Sequence, residues 1–161
     1  MYHARDFVLT ERLDYFGAAL TLVFGIYYSI IRILQVKSVR AQKFIALPFF
    51  LAYIFHIIKL SSNFDYKYNM IFCVIVGLSF QIVWIAWYIF HRDRWYARKA
   101  LVFVIGAVAS SSLEILDFEP ILDIFDAHSL WHACTIPLQF LWYSFLVDDA
   151  RYEMKVLSSR K

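Results

Sequence analysis

Two histidines four residues apart open the last long apolar run of the chain, in Asp126-Ala127-His128-Ser129-Leu130-Trp131-His132. On a helix that spacing puts both imidazoles on one face, about 6 Å apart along the axis, where they can share one metal ion. A catalytic zinc site usually takes three protein ligands and leaves the fourth position to a water, whose pKa falls to about 7. With no third ligand the pair reads equally as two interfacial histidines bonded to backbone or water. His3 and Asp14 flank the entry to the first apolar run. Taken alone, His3 is a solvated residue near a terminus, and Asp14, with Thr10 and Glu11, caps a helix at an interface.

The elements that must position these residues follow from composition. Of 161 residues, 61% are hydrophobic, 20% aromatic and 18% charged, and the mean hydropathy is +0.58. Soluble domains run near 45–50% apolar and about 25% charged. At this length roughly a third of the surface of a soluble chain stays wet, so the solvent for this excess is lipid. Long uncharged runs predict an all-α integral membrane protein of five spans, at 13–34, 44–60, 68–91, 100–118 and 127–147, between an N-terminal segment 1–12 and a tail 148–161. Cys73 and Cys134 lie inside apolar runs and do not form a secreted disulfide framework. The net charge of +3 comes from basic residues between hydrophobic segments, not from one patch with aromatics, which argues against a nucleic-acid partner. Met1 to Arg12 carries four charges and no cleavable signal, so the first apolar segment is expected to direct its own insertion.

Orientation follows from where lysine and arginine accumulate. Lys37, Arg40 and Lys43 follow the first span, and Arg92, Arg94, Arg98 and Lys99 follow the third; both connections read as cytoplasmic. The intervening connections are poor in positive charge, and 117–126 holds Asp117, Glu119, Asp123 and Asp126. Five spans then place the N-terminus in the lumen and the tail in the cytoplasm. That topology gathers His3, Asp14, Asp126, His128 and His132 on the luminal side. Other polar groups carry blander expectations: His56 is packed or hydrogen-bonded, and His91 solvated. Ser110, Ser111, Ser112 and Glu114 bond between helices, while Trp95-Tyr96 and Trp142-Tyr143 anchor at the interface.

Several stretches together resemble a known family. Tyr2-His3-Ala4-Arg5-Asp6, Thr10-Glu11-Arg12-Leu13-Asp14-Tyr15-Phe16 and Phe64-Asp65-Tyr66-Lys67-Tyr68-Asn69 precede Leu113-Glu114-Ile115-Leu116-Asp117-Phe118. The last leads into Asp126-Ala-His128-Ser-Leu-Trp-His132 and Thr135-Ile136-Pro137. In this order they are similar to the Per1-like family of post-GPI-attachment lipid remodelling, within the CREST superfamily of seven-span membrane hydrolases. The resemblance implies a zinc ion held by His3, His128 and His132. It gives Asp14 the role of orienting or deprotonating the attacking water, and makes Asp126 a partner that holds an imidazole N–H. The implied reaction is phospholipase A2-type removal of the sn-2 acyl chain from GPI-anchored proteins, in the endoplasmic reticulum or Golgi membrane. GPI-anchored proteins or GPI lipid and the surrounding membrane lipids are the implied partners.

Against the family pattern, the serine four residues before the first histidine would fall before Met1, as would two further spans and a cysteine-containing luminal segment. The expectation is therefore a chain that represents the C-terminal part of the seven-helix bundle. Loss of an oxyanion donor commonly costs about 10²–10³ in rate, so zinc without efficient turnover is one outcome. The competing reading is a non-enzymatic receptor or escort that holds lipid or GPI cargo in the same bundle. A ceramidase reading matches the motifs less closely.

Overall fold

The computed structural model describes the backbone of residues 8–116, 118–121 and 125–159, and their side chains apart from those of 8–11 and 114. His3, Asp117 and Asp123 lie outside the described residues. Five helices follow one another: α1 (Val8–Ile33), α2 (Val39–Ser62), α3 (Tyr66–His91), α4 (Ala97–Leu116) and α5 (Ala127–Ser158). Among the described residues the only β pairing is an isolated antiparallel bridge between Ile121 and Phe125. Arg12–Ile33, α2 and α3 are each long and apolar enough to cross a membrane. The chain is an all-α membrane protein.

Local chemistry fixes the helix ends. α1 stops at Gln35, whose φ of 49° is left-handed. Val36 N–H donates to Ile31 O at 3.0 Å and Gln35 N–H to Arg32 O at 3.3 Å, the paired bonds that close a helix through a left-handed residue. The Ser38 side chain caps α2 by accepting from Ala41 N–H, and Asp65 Oδ1 accepts from Tyr68 N–H at 3.1 Å to start α3. Asp14 lies seven places into a run that begins at Val8, so it stands in the body of α1 and does not cap it.

The chain divides into two compact units, Met1–Val83 and Trp84–Lys161. In the first, α1 and α2 are antiparallel neighbours, with Tyr27 against Phe49 at 6.1 Å and the Tyr53 hydroxyl donating to Phe16 O at 3.1 Å. In the second, α4 packs along α5. Trp84, Trp87, Tyr96 and Phe145 are buried together, and Trp142 stands edge-on to Trp84 at 4.9 Å. Gly106 makes this approach possible: a Cβ there would lie 2.5 Å from Leu138 Cδ2.

α5 extends beyond the span expected at 127–147. It runs on through Ser158, so most of the expected tail 148–161 is helix. At 32 residues it is about 48 Å long against a hydrocarbon core near 30 Å. Two adjacent carboxylates make the continuation stable. Lys99 Nζ donates to Asp148 Oδ2 at 2.5 Å and to Ser144 Oγ at 2.7 Å, and Tyr96 Oη donates to Asp149 Oδ1 at 2.7 Å. Arg94 Nη1 donates to Glu153 Oε1 at 2.8 Å and to Tyr96 Oη at 3.0 Å, and sits 3.6 Å from Asp149.

Several expectations are corrected here. Tyr96 is fully buried in this network, where Asp149 gives its hydroxyl an acceptor; only its neighbour Trp95 is exposed. Trp142 packs inward while Tyr143 faces out. His91 is stacked on Trp87, with ring centroids 4.8 Å apart and Nδ1 2.9 Å from Trp87 O. Ser110 and Ser112 bond to carbonyls three residues back, Ala107 O and Ala109 O, because those acceptors lie within reach of a serine on its own helix.

Candidate metal-binding site

The loop after α4 is drawn in by the Ile121–Phe125 bridge, with amide-to-carbonyl distances of 2.9 and 3.1 Å, and delivers the chain to Asp126. Asp126 is the N-cap of α5: its extended backbone (φ −81°, ψ 166°) lets Oδ1 accept from Ser129 N–H at 2.6 Å. The Ser129 hydroxyl returns a bond to Asp126 O at 3.0 Å. An aspartate suits this position because it satisfies an orphan amide and meets the positive end of the helix dipole. The cap fixes the first turn, and the first turn carries His128.

His128 and His132 come together as their spacing requires. Their Nε2 atoms are 3.0 Å apart, with the rings nearly perpendicular at 88° and centroids 4.5 Å apart. Trp131 sits beside both, at 5.4 and 4.5 Å between centroids. His128 is half-buried and His132 exposed. Two zinc–nitrogen bonds of about 2.05 Å at a tetrahedral angle separate their nitrogens by about 3.3 Å. The pair therefore fits a shared cation with little adjustment, through the two nitrogens that already converge.

Around that pair the expected site residues fall into three groups. Asp126, His128 and His132 share the first turns of α5. Asp14 is an exposed residue of α1 and belongs to the other compact unit. His3 lies outside the described residues. Among the described residues, no three of His, Cys, Asp and Glu gather tightly enough to hold a metal ion.

Two polar features were missed, in whole or in part, by the reading of the residues. One is the network at the far end of α5, whose partners are 49 to 59 positions apart in sequence. Its only local signal is a pair of aspartates at the end of an apolar run. Burial pushes the Tyr96 hydroxyl above its ordinary pKa, and the acceptor carboxylate of Asp149 adds to this against the opposing charge of Arg94. Burial works against the Arg94 charge, but its bonds to Tyr96 and Glu153 outweigh that and raise its pKa. The other feature is His56, which is 0% exposed with both ring nitrogens unpaired.

Helices long and apolar enough to cross a membrane define an integral membrane protein, and a capped imidazole pair opens its last helix. The chain belongs to the Per1-like family, a model of which matches residues 1–150. It is 42% identical over 164 residues to the "GPI-specific phospholipase A2-like PGAP3" of Xenopus laevis, a match covering 97% of this chain and 50% of that protein. The protein of the same name from Homo sapiens is 36% identical over 157 residues, covering 96% of this chain and 49% of its own. "Protein PER1 homolog" from Schizosaccharomyces pombe is 35% identical over 161 residues, with 96% and 49% covered. The chain thus spans about half the length of these relatives. No solved structure matches it.

Proposed function

We propose that this protein takes part in remodelling the lipid of GPI-anchored proteins, as a zinc-dependent phospholipase A2-type hydrolase that removes the sn-2 acyl chain. The observation that carries the reading is the 3.0 Å approach of the two Nε2 atoms on a helix terminus held by Asp126. His128 and His132 supply two ligands, and His3 is assigned the third. Zinc held there would supply a Lewis acid that lowers the pKa of an attacking water to about 7. Asp14 is assigned the base that would accept that water's proton, and Asp126 holds the turn from which His128 projects. The substrate ester lies just below the headgroups, within reach of a site at a helix terminus. We place the protein in the endoplasmic reticulum or Golgi membrane, with its N-terminus in the lumen, its C-terminus in the cytoplasm, and GPI-anchored proteins or GPI lipid as its partners.

The test is complementation of cells that lack GPI lipid remodelling, scored by mass spectrometry of the GPI lipid. The wild-type chain is expected to restore the lyso form, and His128→Ala, His132→Ala and Asp14→Asn to leave the diacyl form in place. Full remodelling by either histidine variant contradicts the reading. Restored trafficking by all three variants without deacylation identifies the escort alternative.

A further inference from the structure

His56 is the least explained polar group in the described residues. It is 0% exposed, with Phe72 of α3 stacked on it at 4.0 Å and 24° and Tyr68 of α3 at 5.5 Å. A neutral imidazole always presents one N–H and one lone pair. Asn69 is the polar side chain that approaches it, yet neither Nδ1 nor Nε2 has a hydrogen-bond partner in good geometry. Asn69 Oδ1 is itself engaged by the Cys73 thiol at 3.9 Å. A leucine or phenylalanine would fill such a space without the cost of two orphaned polar atoms. Fold stability alone therefore does not account for a histidine here.

Its level in the first unit gives the residue a purpose. The Tyr53–Phe16 hydrogen bond ties α2 to α1. From that bond Asp14 lies two residues toward the start of α1 and His56 three residues toward the end of α2, rises of about 3 Å and about 4.5 Å in the same direction. Tyr15, against Phe64 at 5.1 Å and Tyr66 at 6.2 Å, confirms that the start of α1 meets the α2–α3 turn. His56 thus shares the level of Asp14. It also stands six residues, about 9 Å, from the end of α2, a depth reached by the ester groups and upper acyl chains of a lipid. The rings packed on it, Tyr68 and Phe72, are only half-buried, so rotation of one of them opens the imidazole to a lipid alongside α3.

We propose that His56 is a lipid-binding residue, whose N–H donates to an ester carbonyl of a diacyl glycerophospholipid entering between Tyr68 and Phe72 on α3. The identity of the lipid rests on the remodelling reading above; the site itself does not. The entering carbonyl replaces the missing partner, and the aromatic rings flank the acyl chain.

The test uses the full chain in phosphatidylcholine nanodiscs containing phosphatidylinositol with a diazirine near the ester of its sn-2 chain. Photolabelled peptides are mapped. In the wild type, label is expected on α2 around His56 and on α3 around Tyr68–Phe72. His56→Leu is expected to lower that label at least about fivefold, the worth of one hydrogen bond, while melting at or above the wild-type temperature. His56→Gln, which keeps a donor, is expected to retain most of the label. Unchanged labelling in His56→Leu overturns the proposal, as does a lower melting temperature, which would show a ring kept for packing. The same labelling is expected in His132→Ala. If the hydrolase reading fails, this label remains; if the lipid site fails, deacylation remains and the label is absent.

Discussion

The two ends of α5 are built on opposite principles. At one end His128 and His132 are half-buried and exposed, with their Nε2 atoms converging at 3.0 Å on a point beside the helix. At the other, Asp148 and Asp149 are 7% and 1% exposed and are bonded to Lys99, Tyr96 and Arg94. The acidic end invests its polar groups in one another, so that each carboxylate removed from solvent meets a donor. The histidine end instead brings two ring nitrogens of one helix face together, Nε2 to Nε2. Charge at the acidic end holds the fold, and the imidazole pair at the other end is where the proposed metal site is placed.

That contrast predicts a gradient of stability effects along one helix. The largest belongs to Asp149→Ala, which strands the Tyr96 hydroxyl and weakens the hold on Arg94 in a buried setting. A loss of about 3–5 kcal/mol is expected from removing one partner of such a network, read as a lower midpoint of unfolding in detergent. If Asp149→Ala melts with the wild type, the network is ornamental and the contrast collapses.

A pH scan sharpens the same end. The Tyr96 pKa is raised in the fold, so the folded state binds this proton more tightly than the unfolded chain. The stability it contributes is complete below the ordinary tyrosine value near 10 and is lost as pH rises beyond it. Wild type is expected to lose stability faster than Tyr96→Phe above about pH 10, and to differ from it by a constant amount near neutrality. Identical alkaline profiles would remove Tyr96 from the account.

At the histidine end the effects shrink. Asp126→Ala removes the cap of α5 and is expected to cost about 1 kcal/mol, with a modest weakening of metal uptake as the first turn frays. Smallest of all, His132→Ala is expected to change thermal stability in the absence of metal by less than about 0.5 kcal/mol, as for an exposed residue. A large destabilisation there would make the imidazole pair a structural device.

The same contrast explains what the sequence disclosed. His128 and His132 were legible because their relation is local: four residues on one helix suffice to bring the rings together. The five helices were legible because long apolar runs favour helix, and three of them, Arg12–Ile33, α2 and α3, have the length and hydropathy to cross a membrane. Asp148 and Asp149 read as the place where the chain leaves the bilayer, since their partners Lys99, Arg94 and Tyr96 belong to a distant turn and to α4. Tyr96 looked like an interface anchor for the same reason, its acceptor being 53 residues away. His56 was expected to be packed or bonded, and it is packed; that neither nitrogen found a partner depends on the rings of α3, which no local pattern reveals.

Zinc content measured with ester hydrolysis on one preparation addresses the central claim most directly. The full chain, purified in lipid and loaded with zinc, is compared with the double variant His128→Ala/His132→Ala by elemental analysis and by release of sn-2 fatty acid from a GPI-anchored protein in the same vesicles. The account predicts one zinc per wild-type chain, none retained by the variant, and fatty-acid release that follows the metal. Equal zinc in both proteins, or release undiminished in the variant, would contradict it.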